Sequence, residues 1–321
     1  MKKKIVIGTR GSKLALWQAN WVKGQLEALD KNIQVELNTI KTTGDKILDV
    51  ALAKVGGKGL FVKEIEEALL NGQADLAVHS MKDVPVDLPP ELHLKAICKR
   101  ELPADALVCR EAKGFSSLPK GAHIGTSSLR RTCQLLQLRP DLKISSLRGN
   151  LDTRLRKLDE GLYDAIVLAY AGMKRLGFED RVTEKLAPEV MLPAIGQGAV
   201  GIECRVDDEF INGLVGKLDH EETSIAVRAE RSFLRRLEGG CQVPIAAYAR
   251  LVDGRLVMDG LVGSPSGEKT VKAHSEGEFK LPQARTLGTA LAERLIAMGA
   301  GEILAEVYGR QIPPVENDIA T

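Results

Sequence analysis

Residues Lys4 to Val22, "KIVIGTRGSKLALWQANWV", and Ala122 to Arg139, "AHIGTSSLRRTCQLLQLR", make the same statement twice. Each is a short β-rich run, then Ile-Gly-Thr, then a polar turn that opens an amphipathic helix. In the second, Leu129, Cys133 and Leu136 fall at i, i+4 and i+7, and Pro140 closes the segment. The echo continues in "GLFVKEIEEALLNGQADLAVHS" and "LDTRLRKLDEGLYDAIVLAYAG", both helix, glycine, then an apolar strand introduced by Asp75 or Asp164. Phe61, Ile65, Ala68 and Leu69 make the first helix's expected buried stripe, and Leu151, Leu155 and Leu158 the second's. Continuous apolar strands between amphipathic helices predict mostly parallel sheets covered on both faces. The expected architecture is therefore α/β, with two similar lobes.

Two stretches read as crossings between the lobes: "KRELPADALV" and the glycine-rich "LPAIGQGAVGIEC", Leu192 to Cys204. From Asp219 the pattern changes to a helix through "ETSIAVRAERSFLRRLEGG" and then alternating "IAAYARLVDGRLVMDGLVG", with a hairpin at Asp253-Gly254. A last helix, "LGTALAERLIAMGAGEIL", completes a smaller α+β domain. A chain of 321 residues, 44% hydrophobic and 27% charged, has the material for several cores. The expected division is 1–98 plus 199–217, then 104–193, then 219–321.

Composition excludes several classes. In "MKKKIVIGTRGSK" the apolar run after the lysines is too short for a secretory signal, and no later stretch approaches a membrane span. A cytoplasmic protein is expected. A net charge of +2 and 4% aromatic residues argue against a nucleic-acid partner. Five cysteines, with no Cys-x-x-Cys pair or Cys/His spacing, indicate neither a disulfide framework nor a metal site. Cys98, Cys109, Cys133 and Cys204 lie in mainly apolar patterns and read as buried small hydrophobes. Cys241 differs: in "RRLEGGCQVP" it follows two glycines at a helix-to-strand turn, where the glycines end the helix and clear space around the thiol.

Cations gather where a helix alone would not place them. A helix N-terminus favours acidic residues, each cation there costing about 0.3 to 1 kcal/mol. Yet Arg10 and Lys13 flank Ser12, Lys58 and Lys63 flank Gly59, Arg130 and Arg131 follow Thr126-Ser127-Ser128, and Arg148 and Arg154 bracket Gly149-Asn150. Backbone N–H groups combined with arginine forks make a receptor for carboxylate or phosphate. Arg139 and Arg156 read as ordinary surface residues. "VHSMKDVP" places Ser80, Lys82 and Asp83 at the carboxyl end of a strand, where open α/β sheets bind ligands. Asp83, an acid among cations, suits proton transfer and stabilisation of a developing positive centre. His79 reads as structural.

With "ERSFLRRLEGGCQVP" as the most specific motif, the chain resembles the porphobilinogen deaminase (hydroxymethylbilane synthase) family. "IGTRGSKLALWQ", "TTGD", "GGKGLFVKEIE", "AVHSMKDVP", "IGTSSLRR", "LRGNLDTRL", "AGMKRLG" and "LPAIGQGAVGIEC" accompany it in order. The resemblance implies two periplasmic-binding-protein-like (type II) lobes and a third domain carrying a dipyrromethane cofactor, joined as a thioether to Cys241. It implies condensation of four porphobilinogen units, with loss of ammonia, by a cytoplasmic monomer of tetrapyrrole and heme biosynthesis that binds neither nucleic acid nor membrane. Asp83 matches the catalytic acid. Arg10, Ser12, Arg130, Arg131, Arg148, Arg154 and Arg175 would hold substrate and cofactor carboxylates, assisted by Lys82, Thr126 and Ser128. A non-catalytic binder of anionic solutes with the same two lobes is the alternative.

Overall fold

The structure, a computed structural model, describes residues 3–46, 59–239 and 243–311. Its first sheet is built from β1 (Lys3–Arg10), β2 (Ile33–Ile40), β3 (Leu76–Ser80), β4 (Leu92–Ile97) and β10 (Val200–Arg205), in the order β2-β1-β3-β10-β4. The lysine-led opening is thus a strand, paired in parallel with both β2 and β3. Between β1 and β2 runs the helix Lys13–Leu29, which buries Ala19, Val22 and Leu26 against the sheet and is capped by Ser12.

The second sheet repeats this plan with β5 (Asp105–Cys109), β6 (His123–Gly125), β7 (Lys143–Ser145), β8 (Ala165–Ala169) and β9 (Glu184–Leu186), in the order β7-β6-β8-β5-β9. In each sheet four strands run the same way and one is reversed: β10 against β3 and β4, and β5 against β8 and β9. The reversed strand is in each case the one that has just arrived from the other lobe. The sheets are mostly parallel in strand direction as expected, although half of their neighbour pairings are antiparallel.

Side-chain placement follows the predicted stripes with one correction. Ile65, Ala68 and Leu69 of the helix Lys63–Leu70 are buried, as are Leu155 and Leu158 of the helix Leu151–Asp159, while Leu151 at that helix's start is only partly buried against them. Phe61 lies before its helix instead of on its buried face, and the Arg10 guanidinium stacks on its ring at 4.2 Å. Cys98, Cys133 and Cys204 are buried, burial pushing their thiols to about 12, 11 and 12, whereas Cys109 is only half-buried.

The third unit packs the helices Glu221–Arg236 and Leu281–Leu295 on an antiparallel sheet of β11 (Ile245–Val252), β12 (Arg255–Gly263) and β13 (Thr270–Glu278). The β11–β12 hairpin turns at Asp253 and Gly254, both at positive φ. Buried Glu230 ties all three parts together. It accepts from Arg100 Nη1 (2.5 Å) on one crossing, the Gly196 N–H (2.7 Å) on the other, and the Ala249 N–H (3.0 Å) of β11. The crossings touch directly at Gly198, whose carbonyl accepts from the Glu101 N–H (3.2 Å) and from Arg175 Nη2 (2.7 Å). Gly198 is at φ 89°, and a Cβ there would stand 2.4 Å from the Glu101 carbonyl oxygen, so no other residue fits this crossing undisturbed.

Candidate active site

The β3 strand runs directly into a 3-10 turn, Met81–Asp83, with buried Met81 anchoring it and Lys82 and Asp83 exposed. Asp83 shares a small pocket with Arg10, Ser12, Gln18, Phe61 and Ser80, so the first two helix-start residues singled out in the sequence do meet the acid. Gln18 Nε2 donates to Ser80 Oγ (2.9 Å), fixing the end of β3 against the Lys13–Leu29 helix.

The second lobe brings its cations to the same place. Lys82 is open to solvent, yet desolvation by the surrounding lobes lowers its pKa; Asp83 opposes this, and Arg131 and Arg154 add to it. Arg154 is pushed down to about 10 by desolvation and then by Arg131, with Arg148 adding to this and Asp83 opposing it. Arg154 Nε also donates to the Gly149 carbonyl (2.8 Å), which orients the guanidinium. Lys13 of the first lobe reaches Asp152 of the second at 3.1 Å, spanning the lobes. Arg175 has its guanidinium 5.7 Å from the Trp17 ring centre, and burial lowers its pKa.

The hydroxyl residues act as caps. Ser12 accepts from the Ala15 N–H (3.3 Å), Ser128 from the Arg131 N–H (3.5 Å), and Thr126 Oγ1 from the Ser128 N–H (3.2 Å). Asn150 caps the Leu151–Asp159 helix by accepting from the Thr153 N–H at 2.9 Å. These turns therefore present helix starts to the cleft, with arginines beside them.

Two carboxylates escaped sequence reasoning. Asp105, the first residue of β5, accepts from Arg130 Nη1 (2.8 Å) and from Arg131 Nη2 (2.7 Å). Desolvation pushes its carboxyl up, but the two guanidiniums outweigh that and hold it well below the usual carboxylate range. Arg130 and Arg131 are accordingly only 5% and 6% exposed, packed into the lobe instead of lying free in the cleft. One carboxylate shared by two arginines leaves a net positive charge at that helix start. Asp45 plays the same part for Arg10, accepting from its Nε (3.2 Å) and Nη2 (2.5 Å). The available signals were an acid opening the apolar run "DALVC" and the aspartate of "TTGD".

Arg139 and Arg156 pair with Asp141 and Glu160 on the surface, in line with the sequence reading. His79 is buried, its Nε2 2.9 Å from Glu203 Oε2. Cys241 lies outside the described residues, as do Gly240 and Gln242. The helix leading to that turn ends at Arg236, and Glu238 takes the left-handed conformation at φ 50° where Gly239 does not. Gly239 serves space instead, since a Cβ there would lie 2.3 Å from Leu234 Cδ1 and 2.7 Å from Ile245 Cδ1.

Family models match the chain in two pieces: the porphobilinogen deaminase dipyrromethane cofactor-binding domain over residues 5–213, and the porphobilinogen deaminase C-terminal domain over residues 224–297. The porphobilinogen deaminase of Geobacter metallireducens is 56% identical over 310 residues, spanning 97% of this chain and 96% of the relative. Among solved structures, a probable amino-acid ABC transporter extracellular-binding protein of Bacillus subtilis is 10% identical over 68% of this chain and 90% of its own, with a TM-score of 0.42. A periplasmic substrate-binding protein of Coxiella burnetii is 15% identical over 67% of this chain and 91% of its own, with a TM-score of 0.43.

Proposed function

Because the chain belongs to the porphobilinogen deaminase family, we propose that the cation-lined cleft around Asp83 is its active site and that Cys241 anchors its cofactor. The enzyme is a transferase of porphyrin biosynthesis that condenses four porphobilinogen molecules, with loss of ammonia, into the linear tetrapyrrole hydroxymethylbilane. Its first two lobes form the dipyrromethane-binding part. The 56% identity across nearly the full length carries this reading over a non-catalytic solute binder.

The residues present fit a dipyrromethane. Arg154 is crowded by Arg131 and Arg148 and relieved by Asp83, so the cleft holds more cations than anions until a polycarboxylate enters. When bound, dipyrromethane supplies the pyrrole carbon to which the first substrate unit is joined. Arg10, Arg148, Arg154 and Arg175, with Ser12, Lys82, Thr126 and Ser128, would hold the acetate and propionate groups through arginine forks and helix-start N–H groups, while Arg130 and Arg131, whose guanidiniums are engaged by Asp105, would attract those carboxylates by their surplus charge at the helix start. Departure of ammonia leaves a positive charge on the substrate's methylene and pyrrole nitrogen. Asp83 would stabilise that charge and take the proton released when the new carbon–carbon bond forms.

The same proposal divides the chain at 1–98 plus 199–217, 104–193 and 219–321, and takes the enzyme as a cytoplasmic monomer. Intact-mass measurement tests the anchor: the parent should carry two pyrrole units, and Cys241→Ser should fold, lack them and be inactive. An adduct surviving in Cys241→Ser would refute it.

A further inference from the structure

Arg231 lies on the helix Glu221–Arg236, whose far end leads to the Cys241 turn, and its guanidinium reaches across to the loop after β3. Nη1 donates to the Val84 carbonyl (3.1 Å), and Nη2 donates to the carbonyls of Pro85 (2.6 Å) and Val86 (3.2 Å). These are the three residues immediately following Asp83. Arg235, one turn on, donates to the Val86 carbonyl as well, at 2.9 Å. One turn before Arg231, fully buried Val227 packs with Met81 and Val84, so this helix face covers the whole Met81–Val86 loop.

Such a loop needs help. Pro85 has no N–H, and the segment leaves β3 without joining another strand, so its carbonyls point away from any sheet partner. A guanidinium fork is suited to gathering several carbonyls at fixed angles. Burial, with Arg235 and Arg228 nearby, pushes Arg231 down to about 10, leaving it charged at neutral pH. A half-buried cation whose three hydrogen bonds all go to main-chain carbonyls contributes little net stability, since drawing it out of water offsets much of what those bonds return. Its position at the catalytic loop calls for a different account.

We propose that Arg231 is a positioning residue for the condensation reaction, setting the backbone that aims the Asp83 carboxylate and fixing it relative to the helix that leads toward the cofactor anchor. This rests on Asp83 being the catalytic acid. The consequence is that the loop of the acid and the end of this helix move as one body while the growing chain is accommodated elsewhere.

The test uses the cofactor-loaded full-length enzyme with Arg231→Lys, which keeps the charge and stem but loses the fork, and Arg231→Met as a second variant. Loading is confirmed by intact mass. Loss of alignment predicts a fall in kcat of about 10- to 100-fold with the KM for porphobilinogen held within about twofold. Because Arg231 acts through Asp83, adding Arg231→Lys to Asp83→Glu should cost much less than it does alone. Unchanged kcat in a loaded Arg231→Lys enzyme, a rise in KM alone, or equal losses in both backgrounds would each overturn the inference. An impaired Asp83→Glu with a normal Arg231→Lys sinks only this inference, whereas near-parental turnover of Asp83→Glu sinks the assignment of Asp83 and the inference with it.

Discussion

Asp105 Oδ1 accepts two hydrogen bonds from Arg131, one from Nε at 3.1 Å and one from Nη2 at 2.7 Å, while its other oxygen serves Arg130. This buried carboxylate is what allows two adjacent arginines to open a helix. Asp105→Asn should destabilise the enzyme by about 3 to 5 kcal/mol, because it leaves two buried guanidiniums short of an anion. Since the native carboxyl is held below its ordinary value of 3.8, its contribution is complete above that pH and is lost only on further acidification. Denaturant titrations at neutral pH check the magnitude, and a loss under about 1 kcal/mol would contradict the role.

Arg154 should act on binding. Removing one arginine–carboxylate contact costs about 1.5 to 3 kcal/mol, so Arg154→Gln should lower kcat/KM for porphobilinogen about 10- to 100-fold while the protein melts near the parental temperature. Steady-state kinetics beside a thermal melt separate the two effects. Parental kinetics in a well-folded Arg154→Gln would remove this residue from the site.

Glu66 predicts a pH effect on stability. Its Oε1 and that of Glu203 are both buried and lack a hydrogen-bond partner among the described residues. Desolvation, then the Glu203 charge, raise Glu66 from 4.5 to about 7. The folded state therefore binds this proton more tightly than the unfolded chain does, so stability falls as pH climbs from about 4.5 to about 7 and levels off above. Glu66 is half-buried, which keeps the slope well under the ceiling of about 1.4 kcal/mol per pH unit. Glu66→Gln imitates the protonated form and should flatten the melting temperature across that range. A slope as steep as the parent's would rule the coupling out.

Gly239→Ala tests the approach to the anchor. The added methyl would meet Leu234 and Ile245, and overpacking of this kind costs about 1 to 3 kcal/mol. A melt should show the loss, and intact mass should show less cofactor per chain because the turn is pushed outward. Full loading at parental stability would mean the turn has room to spare.

The two-lobe plan was legible because hydrophobic period and turn residues are local properties, and the Ile-Gly-Thr echo displayed them twice. The reversed strands were not, since "DALVC" and "VGIEC" carry no mark of direction; that is set by where the crossing deposits them. The cation clusters were visible, but their fixed partners Asp105 and Asp45 were not. Asp105 lies 25 residues from Arg130 and meets it only after the strands are ordered. At the cysteine turn, two glycines drew attention while Glu238 quietly took the strained conformation.

The placement of β10 bears on the order in which the molecule can be made. All five strands of the second sheet lie between Asp105 and Leu186, whereas the first sheet lacks a central strand until Val200–Arg205 has been synthesised. A chain emerging from the ribosome can complete the second lobe while the first still presents the open edges of β3 and β4. Of the two lobes, the one begun first is the last to close, so the loop bearing Asp83 gains its backing strand only after most of the arginine-rich wall opposite already exists.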